Sequence, residues 1–122
     1  FMSLYKKKLF EHYQNPRNHG VIEGYNFKAE LTNFSCGDSV LFQALVNNNY
    51  FEKIAFQGQG CIISQATASM LTEYIINKDF DFVKNLSKED ILNMIELDLG
   101  SMRLKCALLP LEALNIGINN LK

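Results

Sequence analysis

The sequence predicts an α+β fold, in which a small antiparallel three-stranded sheet carries helices packed on one face. Between residues 27 and 56, apolar and polar side chains alternate in short runs with the period of half-buried strands. From residue 62 onward, apolar side chains recur at helical spacing instead. Because the strands come first and the helices follow, the chain lacks the strand–helix alternation of a parallel sheet. The length of 122 residues fits one domain, predicted over residues 1–122.

The first predicted element is an amphipathic helix over residues 3–14. Pro16 ends it, because proline pushes the residue before it out of the helical region. The stretch that continues to Gly20 is dense in turn-forming residues and predicts a loop.

Three strands are predicted next. Residues 27–32 alternate apolar and polar, and the second and third strands are predicted over Val40–Val46 and Tyr50–Phe56. Asn47–Asn49 lie between these two strands and tolerate the left-handed backbone of a tight turn, so the strands form an antiparallel meander.

Helices fill the rest of the chain. The longest helix that an uninterrupted pattern predicts begins directly after Cys61. Ser87 and Asp90 form a capping signal for a later helix. The predicted ranges are 62–77, 80–86, 87–96 and 103–121.

Composition excludes several classes of function. Hydrophobic residues make up 48% and charged residues 20%, which is typical of a soluble globular protein. The net charge is -1, and the one basic run, Lys6–Lys8, lies on a predicted helix where solvated lysines are expected, which argues against nucleic-acid binding. No apolar stretch reaches the roughly 18 residues that cross a bilayer, and the N-terminal region lacks a signal-peptide core. We therefore expect a cytoplasmic protein without membrane contact.

Three cysteines occur, Cys36, Cys61 and Cys106. An odd number of thiols in a reducing compartment argues against a disulfide framework. Buried apolar thiols, metal ligands and a reactive nucleophile remain as alternatives. Cys36-Gly37-Asp38 places a thiol and a carboxylate two positions apart, and the glycine permits both to face one point. The structural alternative is a buried cysteine beside a turn aspartate.

The other two cysteines have surroundings that favour reactivity. Cys61 precedes a strong helix, so its sulfur is expected among unpaired backbone N–H groups that favour the thiolate. Cys106 is flanked by Arg103 and Lys105, whose cations would lower a partly exposed thiol pKa. An apolar filler role in its leucine-rich helix is the alternative for Cys106.

Three thiols and one carboxylate suffice for a tetrahedral metal site, and thiolates favour zinc or iron–sulfur clusters. No Cys-x-x-Cys pair occurs, so the ligands would converge from separate segments. That arrangement favours an accessible functional metal site over a metal site that only stabilises the fold.

Four ordered blocks of sequence resemble the U-type iron–sulfur assembly family, which comprises IscU, SufU and the N-terminal domain of NifU. The segment from Gly60 to Met70 and the Arg-x-Lys-Cys around Cys106 are closer to SufU. The four blocks are residues 12–20, 36–38, 56–61 and 103–107.

The resemblance implies a SufE/NifU-like fold, in which Cys36, Asp38, Cys61 and Cys106 bind Zn2+, iron or a [2Fe-2S] cluster. It also implies a cysteine desulfurase of the SufS, IscS or NifS type, which delivers persulfide sulfur. The acceptor candidates are Cys36, by analogy with SufU, and Cys106, by analogy with IscU. The cluster would then pass to apo iron–sulfur proteins, and Asp38, a hard ligand among sulfurs, would make it easier to release. The alternative function is a zinc-dependent sulfurtransferase relay that does not build the cluster itself.

The sequence departs from the IscU pattern in two places. Lys105 replaces the histidine that precedes the third cysteine, and residues 99–103 replace the Leu-Pro-Pro-Val-Lys chaperone signature. The second departure argues against dependence on a dedicated chaperone. The 45 positions from Cys61 to Cys106, in contrast, are closer to the short IscU spacing than to SufU.

Other interpretations of the same residues predict different behaviour. His12 and His19 could ligate metal, but packing or partner contact is the simpler expectation. A cysteine-nucleophile enzyme would need a histidine beside Cys61 or Cys106. A structural zinc domain would unfold when a chelator removes the metal. We expect a scaffold or sulfur carrier rather than a turnover enzyme.

Overall fold

The computed structural model describes residues 4–34, 37–95 and 101–121. These residues form five helices and three strands, which confirms the predicted α+β class. In chain order the elements are α1 (Leu4–Gln14), β1 (Phe27–Asn33), β2 (Asp38–Asn47), β3 (Tyr50–Gln59), α2 (Ile62–Ile75), α3 (Phe80–Lys84), α4 (Lys88–Ile95) and α5 (Ser101–Asn119).

The sheet has the order β1-β2-β3, with both neighbouring pairs antiparallel, as the meander prediction requires. Asn48 and Asn49 join β2 to β3 with φ of 54° and 67°, which are the positive values of a two-residue hairpin turn. β3 continues three residues beyond the predicted end at Phe56, and Gln59 still pairs with Ser39. This extension brings the end of β3 to the start of β2.

One face of the sheet carries the core. Every second residue of β2 from Asp38 to Ala44 is buried, and α2 and α5 pack against the sheet. Gly117 of α5 lies so close to β1 that an added Cβ would approach the Ala29 Cβ to 2.6 Å. This close helix–sheet contact confirms the predicted packing and fixes the position of α5 over the strands.

The N-terminal loop covers part of the outer edge of β3. The Phe56 N–H donates to the Asn18 carbonyl, and the Gly20 N–H donates to the Phe56 carbonyl, both at 2.9 Å. Exposed strand edges are prone to pairing with other chains, so this loop protects the sheet at Phe56.

The predicted helix ends agree with the structure to within a few residues. Ser87 and Asp90 form the reciprocal capping bonds, with the Ser87 N–H donating to Asp90 Oδ2 at 2.8 Å and the Asp90 N–H to Ser87 Oγ at 3.2 Å. The predicted helix ends at 77 and 86 lie two residues beyond the observed ones. The predicted end near Glu96 falls outside the described residues. Within those residues, no helix has both the length and the apolar character needed to cross a bilayer.

Candidate metal centre

Three of the four predicted ligands converge. Asp38 begins β2, Cys61 directly precedes α2, and Cys106 lies in the second turn of α5. One ligand atom from each, a carboxylate oxygen and two sulfurs, lies within 4.8 Å of the others. The three segments that carry these residues are distant in sequence, and the fold brings them together as predicted.

Asp38 is buried and tied to the backbone of Cys61. The Cys61 N–H donates to Asp38 Oδ1 at 2.9 Å, and the Cys61 sulfur lies 3.5 Å from Oδ2. Gly60 makes this approach possible, because its φ of +135° suits glycine and an added Cβ would collide with the Asp38 carboxylate. The loop before α2 is thus fitted directly against the carboxylate.

Cys61 is the N-cap of α2, as its place before the helix predicted. Its φ of -75° and ψ of 164° are extended, and its sulfur accepts from the Ser64 N–H at 3.5 Å. The Ser64 hydroxyl lies 3.9 Å from the same sulfur. We did not select Ser64 from the sequence, although its place three residues after an N-cap is where such a donor is expected.

Gln65 connects this end of α2 to the sheet. Its Nε2 donates to the Ser64 hydroxyl at 3.1 Å and to the Ser39 carbonyl of β2 at 3.3 Å. Because Ser39 follows Asp38, the bond holds the helix that carries Cys61 against the strand that carries the carboxylate.

The predicted effect on the Cys106 thiol was wrong in direction. Burial raises the pKa of Cys106, and hydrogen bonding and charge at Asp38 and Cys61 raise it further. Lys105 is exposed, so water screens its cation, while the side chain of Arg103 lies outside the described set. Burial, followed by the acidic neighbours brought in from distant parts of the chain, thus sets the direction of the change in pKa. A bound cation would reverse this balance.

The described donor set fits a thiophilic metal. Ligand atoms about 3.8 Å apart surround a tetrahedral zinc ion with bonds of about 2.3 Å to sulfur, so the 4.8 Å group needs to contract by about 1 Å. Two sulfurs and one carboxylate oxygen suit zinc or an iron–sulfur cluster better than magnesium or calcium. Cys36, the fourth predicted ligand, lies outside the described residues, and its ligation stays a prediction.

The two histidines lie elsewhere. His12 is buried, with Nδ1 2.7 Å from the Ser69 hydroxyl of α2. His19 is exposed, and its ring packs edge-on against Phe56 with 5.3 Å between centroids. Neither belongs to the ligand group found in the described part of the chain. The ring contact of His19 agrees with the expectation of packing or partner contact, whereas His12 is held by a hydrogen bond.

Comparison with known proteins identifies the family. The model of the NifU-like N terminal domain matches residues 4–122, almost the whole chain. The chain belongs to this family. The matched range spans Cys36, Asp38, Cys61 and Cys106, the positions that the U-type resemblance singled out.

Two of the proteins similar to this NifU-like domain carry names that describe different functions. The zinc-dependent sulfurtransferase SufU of Bacillus subtilis is 33% identical over 95% of the chain and 90% of its own length. The iron–sulfur cluster assembly scaffold protein IscU of Aquifex aeolicus is 36% identical over 95% of the chain and 74% of its own length. A solved structure from Fervidobacterium islandicum, described as an iron–sulfur cluster assembly scaffold for the SUF system, superposes with a TM-score of 0.79 at 28% identity, covering 96% of both chains.

Proposed function

We propose that this NifU-like domain is an iron–sulfur cluster assembly protein. It accepts sulfur from a cysteine desulfurase, binds iron or a [2Fe-2S] cluster, and passes the cluster to apo-proteins. The observation that carries the proposal is the convergence of Asp38, Cys61 and Cys106 within 4.8 Å. Relatives named as cluster scaffolds, which match over 95% of the chain, support it.

Sulfur enters by transfer of one sulfur atom. A site thiolate attacks the outer sulfur of the donor persulfide, a new S–S bond forms, and the donor cysteine leaves as a thiolate. Cys36 and Cys106 are the candidate acceptors. This exchange consumes no electrons, whereas reduction of the bound persulfide sulfur to sulfide takes two electrons, which two external thiols supply as they join in a disulfide.

The four ligands of the proposal are Cys36, Asp38, Cys61 and Cys106, with distinct roles for sulfur and oxygen. The thiolates hold iron or zinc firmly, while the Asp38 carboxylate is a harder ligand that binds iron less firmly among sulfurs. The Ser64 N–H, 3.5 Å from the Cys61 sulfur, stabilises negative charge on that ligand. Release of cluster is therefore expected to begin at Asp38.

A second function, a zinc-dependent sulfur relay that does not build clusters, is favoured by the same donor set. Cysteine sulfur and carboxylate oxygen are both common zinc ligands. The SufU relative named as a zinc-dependent sulfurtransferase matches 95% of the chain. In this function zinc stays bound while a cysteine carries the persulfide.

Anaerobic incubation with a cysteine desulfurase, cysteine, ferrous iron and dithiothreitol separates the two functions. The scaffold function predicts protein-bound iron and acid-labile sulfide in equal amounts after removal of small molecules. The relay predicts retained zinc and persulfide on one cysteine, without bound sulfide. Absence of both products would contradict the proposed family of functions for this chain.

Replacement of Asp38 tests its role in release. Asp38→Ala should lengthen the lifetime of an assembled cluster and slow its transfer to an apo-ferredoxin, because the weaker oxygen ligand is gone. Transfer is followed by circular dichroism of the acceptor's cluster. A transfer rate equal to that of the unaltered protein would remove Asp38 from this role.

A further inference from the structure

The outer edge of β3 is open beside the metal centre. β3 is an edge strand, and the N-terminal loop pairs with it at Phe56. Beyond that point the residues Gln57–Gly60 are exposed. The next residue is Cys61, so this open edge leads directly to a ligand.

The backbone of Gly58 faces outward along that edge. In an antiparallel ladder, outward-facing residues alternate, and Phe56 turns its N–H and C=O toward the loop. Gly58, two residues later and still paired in register with Val40, therefore turns its own N–H and C=O the same way. Within residues 4–34, 37–95 and 101–121, no loop backbone or side chain is hydrogen-bonded to these two groups.

A groove runs along this part of the strand. Its volume is about 390 Å³, and Tyr13, Pro16 and His19 form its wall together with Gly58–Gly60. Gly58 presents only its backbone to the groove. A side chain would not fit at this position, because an added Cβ would approach Gln65 Oε1 to 2.9 Å and collide with the Ser39 carbonyl. A groove that presents an unpaired donor and acceptor at a strand edge suits an extended peptide, which can add a strand.

We propose that the cysteine-bearing segment of the sulfur-donor protein binds in this groove as a short added strand on Gly58. The inference rests on the proposed function, since it names how the sulfur donor reaches the site. The open edge is short and exposes one outward backbone pair, so it holds one short segment beside Cys61. That suits a donor that presents a single persulfide, whereas a cluster acceptor must place several ligand residues around the cluster.

Amide hydrogen exchange in the full chain tests the inference. Isotope-labelled protein is mixed with a persulfide-loaded desulfurase of the SufS type, and exchange is followed residue by residue. The Gly58 amide should exchange roughly tenfold more slowly in the complex. Amides on the outer edge of β1, the opposite edge of the sheet, are the internal control and should not change.

Matched variants test the wall of the groove. Tyr13→Ala should weaken desulfurase binding about fivefold, because it removes the aromatic wall. Tyr50→Ala is the control, since Tyr50 is exposed to a similar extent, 48% against 41%, and lies in the β2–β3 hairpin at the other end of the strand. Equal effects of the two variants would overturn the inference.

Sulfur transfer, measured as persulfide on the chain in the same samples, separates failure of the inference from failure of the proposed function. Transfer with an unprotected Gly58 overturns the added strand and leaves the function intact. Protection without transfer supports the added strand and counts against the function. Protection of Gly58 in concentrated protein alone would show that a second copy of the chain occupies the groove, and would overturn the inference.

Discussion

Helix α2 carries two polar clusters with opposite roles. At its N-terminal end, Cys61 lies beside Asp38 and Cys106, so that two thiols and a carboxyl group face one another. Two turns later, Ser69 accepts the Arg17 N–H at 2.8 Å and lies 2.7 Å from His12 Nδ1. The second cluster pairs donors with acceptors and is complete, whereas the first gathers ligands and calls for a cation.

The two clusters differ in the kind of group that each brings together: ligands in the first, and hydrogen-bond donors with acceptors in the second. Both clusters combine buried residues with more exposed ones, and both lie along the same helix. We call the second the Ser69 anchor, comprising His12, Arg17, Asn18, Ser69 and Thr72. It fastens the N-terminal loop to α2, with Asn18 Nδ2 donating to Thr72 Oγ1 at 3.1 Å. Burial alone would not have distinguished the two.

Loss of a sulfur ligand should have the largest effect on metal binding. Cys61→Ser and Cys106→Ser are each expected to weaken zinc affinity by more than about 100-fold, because serine is a poor ligand for a thiophilic metal. Competition with a chromogenic chelator measures the affinity. The thermal midpoint of the metal-free variants is the control, and an affinity within threefold of the parent protein would exclude the altered cysteine as a ligand.

Displacing the Asp38 carboxylate by a substitution at Gly60 should have the next largest effect on zinc affinity. Gly60→Ala is expected to weaken zinc affinity by roughly 10-fold to 100-fold, since the added Cβ collides with the carboxylate. Gly24→Ala is the matched control, because Gly24 also has a positive φ, +74°, but no atom within 4 Å of an added Cβ. If both variants lower zinc affinity equally, the Gly60–Asp38 contact does not position the ligand.

The Ser69 anchor should affect stability and leave zinc affinity unchanged. Ser69→Ala is expected to lower the free energy of unfolding by about 1–3 kcal/mol, because the partly buried Arg17 N–H and the buried His12 ring lose their partner. Urea unfolding of the metal-free protein measures the change. Thr72→Val, which removes the neighbouring Asn18 bond, should act in the same direction, and a large drop in zinc affinity in either variant would contradict the division of roles.

Protonation of His12 should have the smallest of these effects, a change in the free energy of unfolding with pH. Burial lowers the pKa of His12 and the Arg17 cation lowers it further, while the Glu73 carboxylate acts in the opposite direction. The unfolded chain therefore binds the proton first, so stability is lost as pH falls below the ordinary histidine value of 6.5. His12→Gln should flatten the dependence of the unfolding free energy between pH 7 and about pH 5.5. An unchanged slope would assign the dependence to other groups.

Local patterns in the sequence predicted most of the fold. Alternation indicated the three strands, and the Asn48–Asn49 turn followed from residues that tolerate positive φ. The end of β3 was missed because Gly58-Gln59-Gly60 has the composition of a turn. Pairing with Ser39 and Val40 of the neighbouring strand keeps it extended, and that partner is distant in sequence.

The sequence singled out Asp38, Cys61 and Cys106, which the structure brings together, but it did not predict the electrostatics of the site. The cysteines and Asp38 stand out by residue type and by family resemblance. Burial raises the Cys106 pKa most, followed by Asp38 and Cys61, and all three causes arise only through the fold. The flanking Lys105 was visible in the sequence, but it is exposed to solvent. His12 likewise gave no sign of Ser69, 57 positions away.

Zinc K-edge X-ray absorption of the zinc-loaded protein tests the convergence of these ligands most directly. The account predicts three sulfur neighbours at about 2.3 Å and one oxygen, from Cys36, Cys61, Cys106 and Asp38. One sulfur should disappear in each single Cys→Ser variant. A first shell dominated by histidine nitrogen, or a sulfur count unchanged by Cys61→Ser and Cys106→Ser, would contradict it.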